Sequence, residues 1–295
     1  MIGQLSGILL PVLVLAGIGY AWRRFGFPFE REFVTRLIMN VCGPCLIIDG
    51  FAGLTLPIAE IVTMVAAFLA MFAATVACAW LVLRVARLSV RSYLPALAIG
   101  NHGNMGLPLC VFAFGETGLA LGVAVFVTAS VVQVSFTPIL QSQAPPVRTL
   151  ATTPVIYGAV VGSVVFAGDV QLPEWIAASV GLLGDVTIPL MLLALGNTLG
   201  GLRAKRLPMA LSLGAARLVI GFAVAFGVAE LFGLEGVSRS VLILQGAMPS
   251  AVFNYLFAAR YDRDPDDVAS IVLTSTLLSA ATLPLLVSYA LAIAG

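Results

Sequence analysis

Asn101-His102-Gly103-Asn104-Met105-Gly106-Leu107-Pro108 stands inside an apolar run of membrane-spanning length. Two glycines, two asparagines, a histidine and a proline make a poor helix. Proline alone deletes one backbone hydrogen bond and clashes with the preceding turn, at about 3 kcal/mol. Non-helical backbone at membrane depth persists only where protein or a water-filled cavity satisfies it. A second interruption, Gly246-Ala247-Met248-Pro249-Ser250 followed by Asn254, sits in another apolar run near the C-terminus. Each break starts a half-helix whose first N–H groups are free and whose end carries about +0.5 charge. Paired breaks of this kind mark the binding centre of a secondary transporter. An anion, particularly a carboxylate, suits such ends. The residues expected around it are Asn101, His102, Asn104, Met105, Gly106 and Pro108, with Pro249, Ser250 and Asn254. Two kinks in a purely structural bundle would be the simpler explanation of the same residues.

The remainder of the chain agrees with a membrane setting. Of 295 residues, 60% are hydrophobic and 10% charged, and the mean hydropathy is +1.08. A soluble domain carries about 25% charged residues. The formal net charge of +1 gives no basis for nucleic-acid binding. Taking roughly 20 apolar residues per crossing, ten helices fall near 3–22, 31–53, 57–84, 91–115, 117–140, 150–168, 174–199, 207–232, 238–261 and 266–293. The first run has its basic residues, Arg23 and Arg24, behind it and is read as a retained helix, not a signal peptide. With the N-terminus outside, 13 of the 15 basic residues fall on the inner side. Arg148 and Arg203 are among them; Arg239 is outside and Arg217 lies within a helix. The outer loops carry Glu60, Glu116, Asp169, Glu174, Glu230 and Glu235. This segregation follows the positive-inside rule and puts both termini outside.

A faint internal repeat divides the chain. Asn40 to Pro44 parallels Asp185 to Pro189, Pro57 parallels Pro208, and Arg91-Ser92 parallels Arg239-Ser240, at separations of 145–151 residues. Five helices per copy invert the second copy, giving halves over 1–140 and 150–295 joined by a short cytoplasmic linker at 141–149. The fold class expected is therefore all-α and integral to the membrane, with ten helices in two inverted five-helix repeats and broken crossing helices four and nine.

These residues resemble a known family. Asn101 to Pro108, then Phe114-Gly115 and Gly118-Leu119-Ala120, resembles the first crossover of the auxin efflux carrier family. Met248-Pro249 through Asn254 to Tyr261, with Ala269-Ser270 and Thr282-Leu283-Pro284, resembles its second. The long hydrophilic central loop of many plant members is absent, so the chain resembles a compact prokaryotic member. The resemblance implies a fold related to bile acid:sodium symporters. It implies a scaffold of helices 1, 2, 6 and 7, a transport unit of the other six, and elevator-like displacement between them. It also implies a homodimer in a bacterial cytoplasmic membrane, and a carboxylate substrate such as malonate, malate or an auxin-like acid.

Other polar residues within the spans widen the candidate set. Gln133 and Gln245 are costly in lipid and could line the site. Arg217 could attract the anion, pair with Asp185 or face a polar cavity. Asp185, Asn40 and His102 are candidates for coupling to H+ or Na+. Thr274, Ser275, Thr276 and Ser279 could offer oxygens to sodium, although membrane helices also use such residues for packing. No cofactor or metal site is expected. No phosphate-binding Gly-x-x-x-x-Gly-Lys-Ser/Thr loop is present, and no enzymatic activity is expected. Two other readings exist. Cys42-Gly43-Pro44-Cys45 has thioredoxin spacing, which would make a thiol oxidoreductase, but it sits in an apolar span without the βαβ framework that motif needs. A ligand sensor on a transporter fold is the other. The partners expected are a small organic anion, membrane lipid and a second copy of the chain.

Overall fold

A computed structural model describes residues 2–52, 56–142, 154–167, 170, 172–202 and 205–294. Arg148, Asp169, Arg203 and most of the 141–149 linker lie outside the described residues. Among those residues the chain is all-helical. The elements are α1 (Ile2–Arg24), α2 (Arg31–Leu37), α3 (Gly43–Ala52), α4 (Ile58–Val85), α5 (Val90–Ala98), α6 (Leu107–Ser142), α7 (Pro154–Ala167), α8 (Glu174–Asp185), α9 (Thr187–Gly201), α10 (Leu207–Leu231), α11 (Gly236–Gly246), α12 (Val252–Arg260) and α13 (Pro265–Ala294). Six helical stretches within them are long and apolar enough to cross a membrane.

Several expected spans are interrupted, each for a local reason. The second span changes register: a π-helical segment, Ile38–Cys42, separates α2 from α3, and Gly43 N–H donates to the Ile38 carbonyl five residues back. The same device, His102–Gly106, precedes α6, with Leu107 N–H donating to His102 O. Each π segment leads into a proline, Pro44 or Pro108. A proline ring clashes with the carbonyl four residues behind it, and the wider π turn accommodates that conflict. Further on, α6 kinks at Gly115, whose φ of 59° and ψ of −140° depart from helix. Only glycine adopts such a backbone at little cost. Val186 separates α8 from α9, and Pro189 then falls in the first turn of α9, where a missing N–H loses nothing.

Packing sorts the helices into two groups. α1 lies along α9, and α3 packs on α7 and α8. In the other group α10 packs on α13, α11 on α10 and α13, α4 on α5 and α10, and α12 on α13. The α1–α9 approach is very close. A Cβ on Gly196 would stand 1.8 Å from the Ala16 carbonyl oxygen, and one on Gly19 would stand 2.1 Å from that of Leu193. Small residues let membrane helices draw together where no hydrophobic effect separates lipid from protein. The main apolar core centres on the second group and reaches into the first through Ile8, Leu9, Val12, Leu192 and Leu195. It is built around buried Met64, Phe68, Leu109, Leu121, Leu242 and Leu244.

Replacing Gly196 with valine is expected to force α1 from α9 and cost about 1–3 kcal/mol or more. A lower melting temperature of the purified protein would report this. An unchanged one would remove the close-packing argument.

Candidate functional site

The two interrupted spans meet at their breaks. α5 ends at Ala98 and the chain runs extended through Ile99, Gly100 and Asn101 before turning helical again at His102. α11 ends at Gly246, and α12 starts at Val252. The extended pieces cross antiparallel at Gly100 and Ser250. Asn101 N–H donates to Pro249 O at 2.7 Å, and Ala251 N–H donates to Ile99 O at 3.1 Å. Adding 150 to the residue numbers of the first half converts one bond into the other.

Arg217, from the middle of α10, locks this crossing from one side. Its side chain is only 1% exposed. Nε donates to Met248 O at 3.1 Å, Nη1 to Leu97 O at 3.1 Å and to Ala98 O at 3.3 Å, and Nη2 to Gly246 O at 3.2 Å. These carbonyls belong to the C-terminal ends of α5 and α11, where four carbonyls per helix have no acceptor role left to play inside the helix. Each end carries about −0.5 charge, so two together balance one guanidinium. The approach needs a glycine, because a Cβ on Gly100 would lie 2.4 Å from Arg217 Nη2.

A cavity of about 120 Å³ opens beside the crossing. Asn101, His102, Asn104 and Gln133 form its polar wall, with Ser130 beside them. Phe126, Ala129, Phe253 and Phe257 form much of the apolar remainder. Asn101 is 4% exposed, and its Nδ2 has no hydrogen-bond partner. The chain places a buried amide donor, unspent, on a cavity wall where the first residues of a half-helix also present N–H groups.

Two further side chains join the halves. Gln245, fully buried on α11, faces His102, with Oε1 and Nδ1 3.2 Å apart, and its Nε2 donates to Cys110 Sγ at 3.5 Å. It lies so close over the π segment that a Cβ on Gly106 would stand 2.2 Å from its Oε1. Asn254 is also fully buried. Its Nδ2 donates to Ile99 O at 3.0 Å and to Ser250 Oγ at 3.1 Å, while its Oδ1 accepts from Gln133 Nε2 at 3.3 Å.

Residues 139–287 match the family described as membrane transport protein. The chain belongs to that family. It is the auxin efflux carrier family that the crossover residues resemble. A relative from Methanothermobacter thermautotrophicus, an uncharacterized transporter, is 28% identical over 297 residues, spanning 94% of this chain and 95% of the relative. Another uncharacterized transporter, from Methanocaldococcus jannaschii, is 27% identical over 206 residues, or 61% of this chain and 62% of its own length. This chain is therefore a compact prokaryotic member of the membrane transport protein family.

The residues singled out from the sequence of this transporter separate into distinct places. Asn101, His102, Asn104 and Gln133 line the cavity. Pro249, Ser250 and Asn254 build the crossing itself. Met105, Gly106 and Pro108 are buried behind it. Gln245 and Arg217 do not line the cavity; both are structural struts of the crossing. Arg217 meets carbonyls and not Asp185. Asp185, at the end of α8, and Asn40, in the first π segment, are both exposed and do not reach the cavity. The hydroxyls on α13 are turned to backbone: Thr274 donates to Ala210 O or Ser270 O, Ser275 and Thr276 to Val272 O, and Ser279 to Thr276 O. Cys42 is buried and Cys45 half-buried, and both are free thiols. The apolar wall carries no sequence signature. Phe126, Phe253 and Phe257 are three phenylalanines among 17, and only the fold distinguishes them.

Arg217→Ala would strip four carbonyls of their donor at about 1–3 kcal/mol each. The variant is expected not to accumulate as folded protein. Arg217→Lys, keeping the charge but not the fork, is expected to fold with reduced thermal stability. Equal melting curves for Arg217→Lys and wild type would contradict the locking role.

Proposed function

We propose that the protein is a secondary transporter of a small organic anion, bound by its carboxylate at the crossing of the two broken spans. The observation that carries this reading is the unpartnered Asn101 amide, buried in the cavity wall where two half-helices begin. A carboxylate there would accept from Asn101 Nδ2, from Asn104 and from the backbone amides that open the half-helices. Asn104 is the position that corresponds to Asn254 when 150 is added. Asn254 spends its side chain on the crossing, whereas Asn104 is half-buried at the cavity. One of the equivalent pair is structural and the other faces the ligand.

The exchange of hydrogen bonds under that same shift supports a ten-helix, two-repeat architecture with inverted halves. The closer packing within α1, α2, α3, α7, α8 and α9 and within α4–α6 and α10–α13 than between the two groups supports a scaffold and a moving transport unit. On this reading the crossing, rigid through Arg217, moves as a body with its ligand. The distribution of basic residues supports a cytoplasmic-membrane location with both termini outside.

Arg217 also bears on coupling. The carbonyls on which a sodium ion would draw at the two C-terminal ends already hold a guanidinium. Sodium is therefore not required to neutralise the crossing.

Flux of a radiolabelled carboxylate into proteoliposomes tests the function. Saturable uptake is expected, unchanged when sodium is replaced by an inert organic cation. Asn101→Ala is expected to weaken binding about tenfold or more, the loss of one charge-assisted hydrogen bond. Saturable binding without flux would make the protein a sensor. Loss of flux on replacing both Cys42 and Cys45 with serine would favour the thiol chemistry.

A further inference from the structure

We infer that the substrate is a monocarboxylate with a compact apolar body, in preference to a dicarboxylate or a bicyclic aromatic acid. This rests on the anion reading above and narrows it.

The charge available at the site is the first ground. Arg217 is held away from the cavity lining by the four carbonyls it binds at the ends of α5 and α11. What remains are the two N-terminal ends, at His102 and Val252, each worth about +0.5. Together they match one carboxylate. No lysine or arginine appears among the described residues that line the cavity. A second carboxylate would have no counter-charge.

The distribution of donors is the second ground. Asn101 Nδ2 is free, and Asn104 stands near it on the polar wall. His102 meets Gln245 through Nδ1, and two other polar groups each spend a donor elsewhere. Ser130 donates its hydroxyl proton to Phe126 O at 2.7 Å. Gln133 directs an amide N–H to Asn254. Beyond them the walls are Phe126, Ala129, Val134, Phe253 and Phe257. A carboxylate seated on Asn101 would direct its body into apolar surface. That surface favours carbon and penalises a second desolvated charge.

Size is the third ground. The cavity measures about 120 Å³. An apolar protein cavity of about 150 Å³ holds benzene. A short branched chain or a single ring matches that volume. Phe126 packs closely on Gly103, where a Cβ would stand 2.6 Å from its ring. Ala129 lies on the same wall and leaves the space open.

Isothermal titration of the purified full-length protein in lipid nanodiscs provides the test. Isovalerate, its neutral analogue isovaleramide, malonate, succinate and indole-3-acetate are the probes. Isovalerate is expected to bind about tenfold or more tightly than malonate, succinate or indole-3-acetate, and isovaleramide not at all. Malonate or succinate binding as tightly as isovalerate would overturn the narrowing but leave the anion reading intact. Indole-3-acetate binding as tightly would overturn the size limit in the same way. Isovaleramide binding as well as isovalerate, or none of the acids binding, would overturn both. Ala129→Leu, which fills the apolar wall, is expected to abolish isovalerate binding while acetate binding persists. Equal isovalerate affinity in a folded Ala129→Leu protein, checked by its melting curve, would show that the acid sits elsewhere.

Discussion

A single guanidinium holds this transporter's centre together. Two helices end inside the helical bundle, and their last carbonyls must find donors where apolar surroundings offer none. Arg217 supplies them from a third helix, bonding Leu97, Ala98, Gly246 and Met248 at once. An isolated buried arginine would be costly, and so would two uncapped helix ends. Each solves the other's problem. Arginine suits this role better than lysine because its planar fork serves several acceptors in fixed directions.

That arrangement polarises the crossing. The carbonyl ends are bound by Arg217, and Asn101, His102 and Asn104 at the start of the following helix line the cavity. On the proposed reading, those residues and the apolar wall would receive the anion. The surrounding glycines make this possible by their lack of side chain. Gly100 lets the guanidinium reach the crossing, and Gly106 lets Gln245 lie across the π segment toward His102 and Cys110. These struts tie α10, α11 and the start of α6 into one body.

The two halves are equivalent in backbone and unlike in side chains. The hydrogen bonds at Asn101 and Ala251 mirror each other, yet Asn254 is consumed by the crossing while Asn104 faces the cavity. A binding site needs that inequality, because a fully satisfied crossing would leave no donor for a ligand. In the other group of helices, α1 and α9 approach each other closely at Gly19 and Gly196.

The sequence by itself determined the membrane setting, the two interruptions and the family. Apolar run length, the side on which basic residues fall, and proline beside glycine and asparagine are local properties, and bilayer physics reads them one segment at a time. It also pointed to Asn101, His102, Asn104 and Gln133, since polar groups in a broken span must face something polar. The tertiary structure alone decided what Arg217, Gln245 and Asp185 do. A polar side chain at membrane depth must find a partner, but the sequence does not say which. Arg217 finds carbonyls 29 to 120 residues away, and Asp185 ends on an exposed face. The phenylalanine wall was illegible for the opposite reason: apolar residues fill every span, and only the packing of α6 against α12 shows which of them border the cavity.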